Sequence, residues 1–72
     1  MPADWATEGV RQLAIVCRKH GLRCRVVRCK HQDSRLHIYR EGDGFDERVR
    51  AANTEAREQN IDAAWTVVRA AN

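Results

Sequence analysis

Arg23-Cys24-Arg25-Val26-Val27-Arg28-Cys29-Lys30, answered across the polar run His31-Gln32-Asp33-Ser34 by Arg35-Leu36-His37-Ile38-Tyr39-Arg40, is the stretch on which the fold turns. Its first half alternates charge with Cys and Val, the period of two expected of a half-exposed strand. The alternation breaks at Val26-Val27, which requires either partial cover on both faces or a bulge. In the second half Leu36 and Ile38 share one face, and His37 and Tyr39 share the other. Two such runs around a polar turn read as a hairpin over about 23–40.

Helical spacing flanks the hairpin on both sides. Asp4 is placed to cap a helix over about 5–20, with Trp5, Gly9, Leu13, Val16, Cys17 and His20 on one face and Ala6 and Val10 at its margin. Thr7, Glu8, Arg11, Gln12, Arg18 and Lys19 fall opposite, and Ile15 alone is off the stripe. Gly21 then supplies a left-handed residue and Leu22 an apolar one to fold back. After the Glu41-Gly42-Asp43-Gly44 break, Phe45, Val49, Ala52 and Ala56 give a second helix over about 45–59. Asp46 and Glu47 stand near the positive end of its dipole. Asn60-Ile61 repeats the Gly21-Leu22 signal. In the last segment, about 63–70, Trp65-Thr66-Val67-Val68 has the chemistry of a strand, favoured here over a third short helix. Trp5, Leu13, Val16, Leu36, Ile38, Phe45, Val49 and Trp65 form the expected core.

The expectation is one α+β domain over residues 1–72 in the order α-β-β-α-β, with α-β-β-α-α as the alternative. The favoured order resembles a ferredoxin-like βαββαβ arrangement without its first strand. That likeness is one of fold and implies no activity. An uncovered sheet edge would be expected to pair, so a homodimer is the simplest remedy. The basic hairpin of one copy facing the acidic second helix of another would assist it.

Composition sets the compartment and the partners. With 72 residues there is room for one core, and no apolar run approaches the ~20 residues that span a bilayer. Met1-Pro2-Ala3-Asp4 has neither the basic nor the apolar region of a secretory signal. The odd, sparse cysteines Cys17, Cys24 and Cys29 suit a reducing cytoplasm. The formal charge of +3 conceals an asymmetry. Arg18, Lys19, Arg23, Arg25, Arg28, Lys30, Arg35 and Arg40 stand against Asp33 alone. From Glu41 onward, Glu41, Asp43, Asp46, Glu47, Glu55, Glu58 and Asp62 outnumber Arg48, Arg50, Arg57 and Arg69. The middle of the chain is therefore expected to meet an anionic partner.

Catalytic and metal readings are weaker. Cys17, His20, Cys24, Cys29 and His31 are possible zinc ligands by type, yet no C-x2-C knuckle is present, and buried thiols explain the cysteines better. His31, His37 and Tyr39 with the hairpin arginines are the residue types of a small RNA-cleaving toxin, but no spacing forces them together. There is no phosphate-binding glycine string, and Gly42 and Gly44 serve the turn. No metal and no cofactor is expected.

The expected function is non-catalytic binding to nucleic acid, or to a nucleic-acid-handling complex, through Arg23, Arg25, Arg28, Lys30, Arg35, His37, Tyr39 and Arg40. Cations on such a hairpin neutralise phosphates, while His37 and Tyr39 offer faces for stacking. The alternative is a protein-binding inhibitor or adaptor. An Arg/Ala-rich chain this short is typical of phage and mobile-element accessory proteins, some of which block host defence complexes.

Overall fold

The first helix, α1 (Trp5–Lys19), and the second, α2 (Phe45–Glu58), lie against a three-stranded sheet of β1 (Cys24–Arg28), β2 (Ser34–Arg40) and β3 (Trp65–Arg69). The structure, a computed structural model, describes residues 5–28 and 34–70, with side chains from Thr7 onward. The order is α-β-β-α-β, as the residue pattern indicates. β1 and β2 form an antiparallel hairpin, and β3 returns through α2 to lie parallel to β2, giving the strand order β1-β2-β3. The parallel pair β2–α2–β3 is thus closed directly, with no strand between its two members.

Both helices end on the same device. Gly21 has φ +77°, and Leu22 N–H donates to Cys17 C=O at 3.0 Å. Asn60 has φ +57°, and Ile61 N–H donates to Ala56 C=O at 2.9 Å. Each is a six-to-one closure with an apolar residue folding back, the Schellman arrangement.

The core lies between the helices and one face of the sheet. It gathers Val10, Leu13, Ala14, Val16 and Cys17 of α1, Leu22, Cys24 of β1, Leu36 and Ile38 of β2, and Phe45, Ala52 and Ala56 of α2. Ile15 is 65% exposed, as its position off the stripe requires. Val26 and Val27 stand in continuous register with Leu36 and Arg35, each half-buried, so both faces are partly covered and no bulge intervenes.

Four expectations change. Trp65 is not core: it is 38% exposed, on an edge strand, where it walls a groove of about 230 Å³ with Leu13, Ala56, Ile61 and Ala63. Val49 is only half-buried beside the core, whereas Val10, placed at the margin, is fully inside it. Thr7, assigned to the polar face, is buried with Ser34, and their hydroxyls meet at 2.6 Å. Ser34 accordingly opens β2 instead of belonging to the turn. A buried pair of hydroxyls that satisfy each other avoids the cost of desolvating either alone. The cap Asp4 and the side chains of Trp5 and Ala6 lie outside the described residues.

Candidate nucleic-acid interface

Among the described residues, the helices cover one face of the sheet, and strand parity decides what the other face carries. Arg25 pairs with His37 and Val27 with Arg35, while His37 pairs with Thr66 and Tyr39 with Val68. Arg23 continues the row, its C=O accepting from Tyr39 N–H at 2.9 Å. Side chains of in-register partners point to the same side. The open face therefore holds Arg23, Arg25, Arg35, His37 and Tyr39, joined by Val27, Thr66 and Val68.

The geometry within this face is ordered. The Arg23 guanidinium carbon lies 5.2 Å from the centre of the Tyr39 ring, within cation–π range. The Arg23 guanidinium also stands 3.7 Å from the Glu41 carboxylate. Arg35 donates to the Thr66 hydroxyl at 2.6 Å, joining β2 to β3 above the sheet. Arg25 is exposed. Arg48 of α2 braces the Arg23 end, donating to the carbonyls of Gly21 and Glu41 at 3.3 Å each. The strands CRVVR, SRLHIYR and WTVVR contain five arginines and no carboxylate.

The other expected site residues stand elsewhere. Arg28 and Arg40 have the opposite parity and project toward the helix side. Arg28 donates to the Thr7 hydroxyl at 3.4 Å. Arg40 lies over the Phe45 ring at 4.9 Å and pairs with Asp46 at 3.3 Å. Lys30 lies outside the described residues. Thr66 and Val68 escaped sequence reasoning because β3 acquires an open face only once it pairs with β2. Alternation in Trp65-Thr66-Val67-Val68-Arg69 carries no sign of which neighbour it joins.

The possible metal ligands do not converge where they are described. Burial pushes the Cys17 thiol up to about 12, the neighbouring Cys24 adding to the shift and Arg18 opposing it. Burial likewise raises Cys24, whose sulfur faces the Ala14 carbonyl at 3.8 Å. Buried thiols held protonated in this way are poor nucleophiles. His20 turns instead to Glu55 of α2, with Nε2 at 2.8 Å from Oε1, and Lys19 pairs with the same carboxylate. Cys29 and His31 lie outside the described residues. A shallow depression on α2 is lined by Glu47, Glu55 and Glu58 together with Arg50 and His20, a mixed set with no excess of cations to draw an anion.

Among the described residues, no helix is long and apolar enough to cross a membrane. The chain matches no protein-family model, no curated protein and no solved structure.

Proposed function

We propose that the chain is a non-catalytic binding protein for single-stranded nucleic acid and that its platform is the open face of the sheet. One observation carries the reading: among the described residues, Arg25, Arg35, His37 and Tyr39, with Arg23 just before β1, share the sheet face opposite the helices, and the strands bear no carboxylate. His37 and Tyr39 are two residues apart on the central strand, so their side chains rise about 7 Å from one another. That spacing suits successive splayed bases of an extended single strand, which stack on ring faces while arginines contact phosphates. A three-stranded face suits a single strand better than a duplex groove, which admits a two-stranded ribbon.

The test is binding of short labelled single-stranded RNA, single-stranded DNA and duplex across a salt series. Affinity for single strands should fall with salt at a log–log slope of about −0.7 for each phosphate engaged. Tyr39→Ala should weaken binding by about 1–3 kcal/mol at every salt concentration and leave the slope unchanged. Arg25→Ala should make the slope shallower by about 0.7. Tighter binding to duplex would overturn the single-strand reading. Absence of binding at low salt would overturn the nucleic-acid reading altogether and leave the basic face to an acidic protein surface.

A further inference from the structure

The outer edge of β3 pairs with nothing among the described residues. Natural edges are usually guarded by charge, proline or a bulge, and β3, Trp65-Thr66-Val67-Val68-Arg69, has only Arg69 at its end. The edge of β1 is better defended. Arg23 and Arg25 line its open-face side, and self-pairing there would bring two guanidinium groups from each copy together on that face.

The hydrogen-bond register shows what β3 offers. Leu36 N–H donates to Ala64 C=O at 2.9 Å, and Leu36 is the register partner of Trp65. In a parallel ladder this turns the amides of Thr66 and Val68 toward β2 and leaves those of Trp65, Val67 and Arg69 facing outward. Read in reverse, that outward set complements itself. An antiparallel copy centred on Val67 places Val67 opposite Val67, and Trp65 opposite Arg69 at both ends. All three outward residues then exchange both backbone bonds, and each exposed indole gains a guanidinium neighbour on the helix side of the sheet. On the open face Thr66 meets Val68, a β-branched pair suited to a pleated surface.

We infer that the chain forms a two-fold homodimer by antiparallel pairing of its β3 edges, centred on Val67, with Trp65 of each copy against Arg69 of the other. The two-fold axis stands perpendicular to the sheet, so both open faces lie on the same side of a continuous six-stranded sheet. The dimer does not depend on nucleic-acid binding, and it is tested in the absence of nucleic acid.

Sedimentation equilibrium of the full chain should give twice the 8.3 kDa chain mass, little changed by salt because backbone bonds and apolar contacts form the seam. Arg69→Glu, at an exposed position, should weaken association about tenfold through loss of two symmetry-related cation–π contacts. On a Cys29→Ser background, Val67→Cys should cross-link copies under oxidation, since directly opposite residues are about 5.5 Å apart at Cα, within disulfide reach. Thr66→Cys and Val68→Cys, about 7–8 Å from their counterparts on the diagonal, should not. A strict monomer at high concentration, equal cross-linking at all three positions, or an association unaffected by Arg69→Glu would overturn the inference. A dimer that dissociates as salt rises would also overturn it and favour the basic sheet of one copy against the acidic α2 of another.

Discussion

Gly9 shows how a single residue carries tertiary information. A Cβ built there would lie 2.9 Å from the Asp62 carbonyl oxygen, so the loop after α2 rests directly on the backbone of α1. Helix propensity alone favours alanine over glycine by about 1 kcal/mol, but the clash is with backbone that cannot rotate aside. Gly9→Ala should therefore lower stability by about 1–3 kcal/mol in urea unfolding, and a gain in stability would show that the loop yields. Leu13 and Ile15, two positions apart on α1, form a sharper pair. Leu13→Ala empties a fully buried site and should cost ~2–5 kcal/mol. Ile15→Ala should stay within about 0.5 kcal/mol, as surface substitutions do. Equal losses would refute the helical register. These apolar contrasts were readable from periodicity. The burial of Thr7 was not, because its reason is Ser34, which stands 27 residues away in sequence.

At the scale of elements, the left-handed endings of α1 and α2 were legible because Gly21 and Asn60 tolerate positive φ at little cost. What joins the two helices was not legible. Glu55 accepts from Lys19, His20 and Gln59, latching the end of α1 to α2. The bonds from Lys19, then from His20, hold its carboxyl below its ordinary value. A carboxylate depressed in the folded state contributes stability above its unfolded pKa and loses it as pH falls through the folded one. The latch is therefore complete at neutral pH and fails on acidification below about 4.5, the ordinary value. Glu55→Gln should leave a thermal midpoint that declines less steeply below that pH than the parent's. Identical acid profiles would show that the latch carries no linked stability.

In the whole molecule, charge is unevenly spread. The sheet strands hold five arginines without carboxylates, whereas α2 mixes Asp46, Glu47, Glu55 and Glu58 with Arg48, Arg50 and Arg57. Self-repulsion among the sheet cations is tolerable where solvent or an anionic ligand faces them, and the uncovered face provides this. The sequence by itself determined the two helices, the hairpin, the strand chemistry of the last segment and the alternation of His37 and Tyr39 against Leu36 and Ile38. These are local properties, set by side-chain period and by residues that tolerate unusual φ. Only the tertiary structure decided that β3 lies parallel to β2 and leaves Trp65 half-exposed at an edge. It also sorted the arginines, sending Arg23, Arg25 and Arg35 to the open face and Arg28 and Arg40 to the helix side. The physical reason is that a strand's period of two separates its faces without saying which will be covered. That choice belongs to the helices, which bury Leu36 and Ile38 and so turn the basic, aromatic side outward.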